Sequence, residues 1–134
     1  MRLIAVVVVL AVLGFGLYVR LAPQDAERWH VPITETTDAD YKSGAVRVIE
    51  AGPDALQRAD DYMRNLPRTQ VVAGSVEEGR ITYVTRSQLW GFPDYTTIEQ
   101  AGEQLRAYAR LRFGKSDMGV NRARLEGLVA ALQG

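Results

Sequence analysis

"DYTTIEQAGEQLRAYARLRF", residues 94–113, decides the fold because it holds two strands and the turn that joins them. The Gly102-Glu103 pair fits a two-residue hairpin turn with glycine first. In the second half, small or apolar residues alternate with arginine and tyrosine, which is the period of a strand with one buried face. Counting back from the turn places Tyr95 opposite Arg110. The stretch therefore predicts an antiparallel hairpin with a core face and a basic face.

The elements on either side of this hairpin complete a small domain. Upstream, "TQVVAGSV" and "RITYVTRSQL" form a second predicted hairpin across residues 77–79. A short strand over 44–51 and a helix over 53–67 precede it, and a closing helix runs from residue 119 or 121 to residue 132. The order β-α-β-β-β-β-α predicts an α+β domain over 44–134, with an antiparallel sheet of about five strands and two helices.

The composition excludes several classes of function. The 134 residues carry 16 basic and 16 acidic side chains, so no net charge attracts nucleic acid. The absence of cysteine excludes disulfides, thiolate zinc sites and a cysteine nucleophile. No other metal ligands surround the Asp60-Asp61 pair in the sequence, so we expect this pair on a solvated helix face. We therefore predict no nucleic-acid partner, no metal and no cofactor.

The N-terminal segment is the clearest signal in the chain. Residues 3–19 carry no charge, are bracketed by Arg2 and Arg20, and span about 25 Å as a helix. A cleaved signal peptide is the alternative, but its apolar region is shorter and ends in a small-residue cleavage site. We therefore predict a single-pass membrane anchor over residues 1–22, followed by a polar linker over 23–43.

The anchor also sets the expected location. Arg2 and the free amino group favour a cytoplasmic N-terminus, although Arg20 and Arg28 lie on the other side of the span. This orientation predicts that the domain lies outside the cytoplasm. We expect a bacterial protein of the cytoplasmic (inner) membrane, with its domain on the periplasmic side. Trp29, just beyond the span, suits the membrane interface, and the alternative is that Trp29 packs on the domain.

The segment "LRFGKSDMGVNRARL", residues 111–125, has the strand, Gly-Lys-Ser turn and helix of a phosphate-binding loop. However, Ala109 stands where the first glycine of that motif is required, inside a predicted strand. We therefore predict no nucleotide binding. Ser116, Asp117 and Asn121 are instead candidates to cap the free backbone N–H groups of the closing helix.

Two motifs carry a resemblance to a known family. "YVTRSQLWGFPDYTTIE" and the later "LRFGKSDMGVNRARLEGLVAAL" resemble the domain of unknown function 1499 family, whose members pair a strand ending in Arg-Ser with a Ser-Asp-x-Gly-x-Asn-x-x-Arg turn and helix. The resemblance covers about residues 80–132, and Lys115 stands where arginine is commoner. The motif positions are occupied by Arg86, Ser87, Gly114, Ser116, Asp117, Gly119, Asn121 and Arg124. The resemblance implies a small α+β domain, often behind a membrane segment, and implies no activity.

Three classes of function follow. We favour a non-enzymatic accessory or binding module that is held at a membrane and presents its domain to a protein or lipid partner in a membrane assembly. The first alternative is a small-ligand site that combines Arg86 with the turn from Asp117 to Arg124, although the same residues could simply fasten that turn. The second alternative is an enzyme, which is weakest because the single histidine lies beside the membrane and leaves no Ser-His or Cys-His pair.

The loop "LWGFPDY", residues 89–95, is the predicted contact surface. Its large apolar side chains flank glycine and proline in a strand connection, and loops run over the surface, so some of them should be exposed. The nearby arginines of the basic face have no carboxylate opposite them. The predicted contact residues are Trp90, Phe92, Tyr95, Tyr108, Arg110 and Arg112. The alternative is that Trp90 and Phe92 fold back and plug the end of the core.

Overall fold

A computed structural model of the protein describes residues 1–134. The helices are α1 (Arg2–Leu21), α2 (Ala26–Trp29), α3 (Ala55–Arg64) and α4 (Val120–Gln133). The strands are β1 (Ala39–Tyr41), β2 (Gly44–Glu50), β3 (Thr69–Ser75), β4 (Arg80–Arg86), β5 (Pro93–Ala101) and β6 (Gln104–Leu111). Helix α1 is long and apolar enough to cross a membrane, a property that a signal sequence shares. The rest of the chain is α+β, as the sequence predicts.

The strands form one antiparallel sheet of six strands in the order β1-β2-β6-β5-β4-β3. Both predicted hairpins are present, since β5 pairs with β6 and β3 pairs with β4. Tyr95 lies opposite Arg110, which confirms the register counted from the Gly102-Glu103 turn. The turns 76–79 and 102–103 share one end of the sheet, called the turn end here. The loop 87–92 marks the opposite end, called the loop end.

Helices α3 and α4 cover one face of this sheet. Alternate strand residues point toward the helices, and 15 buried residues form the core between the two layers. Leu125, Leu128 and Leu132 lie on the inner side of α4, as their spacing predicts. The buried side of α3 consists of Ala55, Leu56, Ala59, Asp60 and Met63. Apart from one carboxylate in α3 and Asn121 in α4, both helices therefore bury the apolar stripes that their periods indicate.

Asp60 is that buried carboxylate, although we expected it on a solvated helix face. It accepts hydrogen bonds from the Tyr83 hydroxyl at 2.6 Å and from Arg64 Nε–H at 2.9 Å. Burial of Tyr83, together with this carboxylate, raises the pKa of its hydroxyl far above the usual value. Its neighbour Asp61 is exposed, as predicted. The hydrogen bond from Tyr83 of β4 to Asp60 joins α3 to the sheet. Arg64, on the same helix as Asp60, balances the charge of the carboxylate.

The segment predicted as a linker, residues 23–43, contains α2 and β1 and packs on the second face of the sheet. Trp29 is 5% exposed and stacks on Tyr95, with ring centroids 4.4 Å apart. The Ile33 N–H donates to the Glu99 carboxylate at 2.9 Å. The sequence of this segment shows neither a helical nor a strand period, because individual residues such as Trp29 and Ile33 hold it on the sheet and no repeating apolar face is needed. The sixth strand, β1, has three residues, too few to show a period.

A β-bulge in β3 accommodates this segment at the edge of the sheet. The register of β3 with β4 shifts just before Gly74, whose φ is +88°. A Cβ on Gly74 would overlap the Arg80 carbonyl oxygen and lie 2.6 Å from the ring of His30, so only glycine fits here. The His30 ring in turn hydrogen-bonds the Thr82 hydroxyl and the Glu78 carboxylate, each at 2.8 Å. The single histidine therefore has a structural role in joining the segment to the sheet.

Candidate functional site

The loop end of the sheet packs against the C-terminal half of α1. The ring centroids of Phe92 and Phe15 are 6.1 Å apart, and those of Phe113 and Tyr18 are also 6.1 Å apart. Phe92 and Phe113 face each other at 6.4 Å, so the rings form one group. Val19, beside this group, is 1% exposed. The domain therefore sits directly on α1.

Trp90 extends this contact further along α1. Its ring carbons lie 3.6 and 3.7 Å from the position that a Cβ on Gly16 would occupy. An apolar hollow of about 370 Å³ beside the ring is lined by Ala11, Val12, Phe15, Trp90 and Phe92. Trp90 is 40% exposed and Leu89, at the loop tip, is 77% exposed. The loop therefore contacts α1 and stays partly open, and it does not plug the core. We call Phe15, Tyr18, Trp90, Phe92 and Phe113 the aromatic cluster.

Arg86 and Ser87, at the end of β4, hold this loop in place. Ser87 Oγ accepts the Phe92 N–H at 2.9 Å, and the Ser87 N–H donates to the Phe92 carbonyl at 3.0 Å. Arg86 Nη1 donates to the carbonyls of Gly91 at 2.9 Å and Val19 at 3.3 Å. Arg86 thus joins the loop to the last turn of α1. Both residues position the loop.

Three arginines meet in a cleft beside the loop. The cleft has a volume of about 420 Å³ and is lined by Arg20, Arg68, Thr69, Gln70, Val84, Arg86, Ser87, Gln88 and Gly91. The guanidinium carbon of Arg20 lies 3.1 Å from where a Cβ on Gly91 would be, and Arg20 Nη2 donates to the Leu89 carbonyl at 2.8 Å. Arg68 Nε donates to the Arg86 carbonyl at 2.9 Å. None of the three arginines pairs with a carboxylate.

Asp117 caps α4, as its position in the turn predicts. Its carboxylate oxygens accept hydrogen bonds from the Gly119 N–H at 3.0 Å and the Asn121 N–H at 3.1 Å. Ser116 Oγ accepts the Met118 N–H at 3.2 Å within the same turn. These bonds satisfy backbone donors at the start of α4 that have no partner within the helix. The turn motif therefore stabilises the strand-to-helix connection.

Arg124 pairs with Asp94 rather than with Asp117. Its Nη1 lies 3.3 Å from the Asp94 carboxylate and also contacts Asn121 Oδ1. Burial raises the pKa of Asp94, and the charge of Arg124 opposes that rise. The pair links the second turn of α4 to the start of β5. It is partly buried, with both side chains less than one-fifth exposed.

The sheet separates the two halves of the predicted small-ligand site. Asp94 and its partner Arg124 lie on the helix-covered face, since Asp94 alternates in β5 with the core residue Ile98. Arg86 lies on the opposite face with Val84, which contacts the cluster around Trp29. Arg86 and the turn from Asp117 to Arg124 therefore do not form one site.

Two of the predicted contact residues are buried, which corrects their placement on an open surface. Tyr95 has no exposed surface because Trp29 stacks on it. Arg110 is 8% exposed and donates to the Thr97 hydroxyl at 2.9 Å and to the Trp29 carbonyl at 2.5 Å. Burial lowers the pKa of Arg110 to about 10, which leaves it protonated at neutral pH. The N-terminal segment covers the part of the basic face that we expected to meet a partner.

Tyr108 and Arg112, the other predicted contacts on this face, are half-buried. Arg112 Nη1 donates to the Pro23 carbonyl at 2.5 Å, and its guanidinium lies 5.2 Å from the Phe113 ring centroid. Arg112 therefore belongs to the junction between α1 and the domain. Tyr108 lies near the middle of β6, with the Arg110 guanidinium 4.7 Å from its ring centroid.

Several residues of this end were not predicted as site residues. Arg20 and Phe15 belong to the predicted anchor, residues 1–22, which the sequence indicates only as a membrane span and not as a partner of the domain. Arg68 reaches Arg86 only through the register of β3 with β4. The available signal was that Arg68 and Arg86 stand at the open ends of the two strands of one hairpin. Phe113 continues the alternation of the last strand in the sequence, which predicts it on the core face. Strand β6 ends at Leu111, and the Phe113 ring packs on Tyr18 of α1 instead.

Comparison with known proteins identifies a family and no activity. No curated protein matches the chain. The profile of a family described as "Protein of unknown function (DUF1499)" matches residues 20–132. This match includes both sequence motifs, Arg20 of the cleft and the segment that covers the second face of the sheet. Because it extends over most of the protein, the chain belongs to the DUF1499 family.

Proposed function

We propose that this protein is a non-enzymatic binding module that α1 anchors in a membrane and that the loop end of its domain seats on the bilayer. The observation that carries the proposal is the packing of the aromatic cluster on α1. Ala11, at one end of the apolar hollow, lies nine residues before Arg20, or about 14 Å along the helix. If α1 spans the membrane, the rings packed along this stretch lie below the lipid headgroups.

The hydrogen bonding of the loop supports this placement. Backbone polar groups in hydrocarbon must be satisfied within the protein. The Phe92 N–H donates to Ser87 Oγ, and the carbonyls of Leu89 and Gly91 accept from arginine side chains. Leu89 remains as an exposed apolar tip, which suits contact with lipid chains. The N–H groups of residues 88–90 make no hydrogen bond within the protein, so the loop tip suits the polar headgroup region and its apolar side chains the adjoining lipid.

The charge distribution supports a fixed orientation on the bilayer. The loop end carries arginines without carboxylate partners, whereas the turn end exposes Glu77, Glu78 and Glu103. Basic groups beside a span are attracted to anionic headgroups, and acidic groups are not. The turn end then faces away from the membrane and is the surface open to a protein partner.

The proposed location is the cytoplasmic (inner) membrane of a bacterium, with the domain on the periplasmic side. Arg2 and the free amino group favour a cytoplasmic N-terminus. Contacts of the domain with Phe15, Tyr18 and Val19 support an anchor that is kept in the mature protein, because cleavage near residue 22 would remove them.

The two tryptophans of the chain allow a direct test of the seating. The full-length protein is reconstituted in phosphatidylcholine vesicles with brominated acyl chains, which quench tryptophans that contact them. Trp29→Phe leaves Trp90 as the only tryptophan, and Trp90→Phe leaves Trp29, each excited selectively above the absorption of tyrosine. We expect strong quenching of Trp90 and little quenching of Trp29, because Trp29 is buried within the domain against Tyr95 of the sheet. Weak and equal quenching in both variants would contradict the proposal.

Two glycines of α1 provide matched controls in the Trp29→Phe background. A Cβ on Gly16 would touch the Trp90 ring, whereas nothing lies within 4 Å of a Cβ on Gly14. We expect Gly16→Leu to displace the ring and change its quenching, and Gly14→Leu to leave it unchanged. An identical response in the two variants would show that Trp90 does not pack on α1.

A further inference from the structure

The arginine cleft at the loop end holds more positive charge than its structural contacts explain. Arg20, Arg68 and Arg86 each donate to backbone carbonyls, which uses a minority of the five N–H donors of a guanidinium. No carboxylate pairs with them. Like charges in one cleft repel each other, so a bound anion would stabilise the arrangement.

The position of Arg68 adds a second observation. Its backbone is left-handed, with a φ of +54°, a conformation that disfavours residues with a Cβ. Its backbone carbonyl accepts a hydrogen bond from the Arg86 N–H at 3.0 Å, and its side-chain Nε–H donates to the Arg86 carbonyl. Both the backbone and the side chain of Arg68 are therefore bound to the backbone of Arg86. The other polar side chains of the cleft, such as Gln70, Ser87 and Gln88, are neutral hydrogen-bonding groups. The cleft is thus built from donors and lacks negative charge.

We infer that this cleft binds a phosphate group, as a monoester or a diester. Guanidinium groups bind phosphate oxygens through paired N–H donors, and the cleft of about 420 Å³ has room for a phosphate with a small attached alcohol. Two sources carry this chemistry, the headgroup of an anionic phospholipid and a free phosphate ester. The lipid source rests on the proposed seating of the loop end, because Arg20 marks the end of the apolar span. The phosphate chemistry itself does not depend on that seating.

The test uses one variant of the cleft and one charge-matched control. Arg68→Asn removes a guanidinium while keeping a residue that tolerates the left-handed conformation. Arg122→Gln removes an exposed arginine of α4, outside the cleft. Native mass spectrometry counts the phosphatidylglycerol molecules that the full-length protein retains after transfer from nanodiscs into uncharged detergent. Calorimetry in the same detergent measures the binding of inorganic phosphate.

We expect the unmodified protein and Arg122→Gln to retain phosphatidylglycerol. We expect Arg68→Asn to bind it with about tenfold lower affinity, because one charged hydrogen-bonding group is lost. Binding of inorganic phosphate with the same variant pattern, without lipid retention, would support a free phosphate ester as the ligand. The inference is overturned if neither probe binds, or if both variants weaken binding equally.

Quenching of Trp90 by brominated lipids in the Trp29→Phe protein separates this result from the proposed function. Quenching without binding of either probe overturns the cleft alone. Phosphate binding that Arg68→Asn weakens, without quenching, supports the cleft and overturns the seating of the loop end.

Discussion

Asp117 is the residue on which the start of the last helix depends. Its carboxylate accepts two backbone N–H groups that have no partner within α4. We therefore expect Asp117→Ala to lower the free energy of unfolding by about 1 to 2 kcal/mol, the usual cost of losing a helix cap. Urea denaturation of the full-length protein in mild detergent, followed by circular dichroism, measures this change.

Ser116→Ala is the control for this prediction. Ser116 accepts one hydrogen bond in the same turn, from the Met118 N–H, and it is exposed. Its loss should cost less than about 0.5 kcal/mol, as for most surface substitutions. Unchanged stability of Asp117→Ala, combined with loss of function in cells, would show that Asp117 serves a binding site instead.

Local roles could be predicted from the sequence at this scale, and distant pairings could not. The cap by Asp117 follows from its place in the turn, because capping acts within four residues. The partner of Arg124 is Asp94, 30 residues away, and only the packing of α4 on the sheet brings them together. The burial of Asp60 had the same origin, since its partner Tyr83 comes from another element.

The segment between α1 and β1 is the element that the tertiary structure determines most strongly. Trp29 anchors it to the second face of the sheet by stacking on Tyr95 and is almost fully buried. We expect Trp29→Ala to lower the free energy of unfolding by about 3 to 5 kcal/mol, because it removes a large buried ring. It should also expose residues 23–38 to proteases, which limited digestion of the full-length protein followed by mass spectrometry detects.

Trp90→Ala is the matched comparison, since it removes the same side chain from a partly exposed loop. Its cost should stay at or below about 1 kcal/mol in detergent, because Trp90 is 40% exposed. If Trp29→Ala lowers the free energy of unfolding as little as Trp90→Ala is expected to, Trp29 does not hold the segment on the sheet.

The elements that the sequence predicts well are those with a period. The hairpin β5-β6 and helix α4 show their strand and helix periods over many residues, and the structure confirms both. Helix α2 has four residues and β1 has three, so neither holds one full repeat of a buried pattern. Their conformations are determined by contacts with the sheet, whose other strands follow them in the sequence.

At the scale of the whole molecule, the proposed orientation predicts opposite accessibility of its two ends. The chain has no cysteine, so a cysteine introduced at the exposed Glu103 of the turn end is a unique label site. With the domain in the periplasm, a membrane-impermeant maleimide should label Glu103→Cys in cells whose outer membrane has been permeabilised. Mass spectrometry of the purified protein measures the labelled fraction.

A cysteine in a short extension before Met1 provides the opposite control. It should stay unlabelled in the same cells and react only after the inner membrane is broken. The reverse pattern, with a labelled N-terminus and a protected turn end, would place the domain in the cytoplasm.

The attachment of residues 22–38 to the sheet also determines how far the domain can travel. A free chain of about 20 residues would let a domain explore a shell of roughly 25 Å around its point of attachment. Here that length is used up by the stacking of Trp29 and the hydrogen bonds of Pro23, Ile33 and Asp38 to the sheet strands or their ends. No free linker remains between α1 and the domain, so the position of the domain is fixed relative to the end of α1. Whatever meets it has to come to the place where α1 ends.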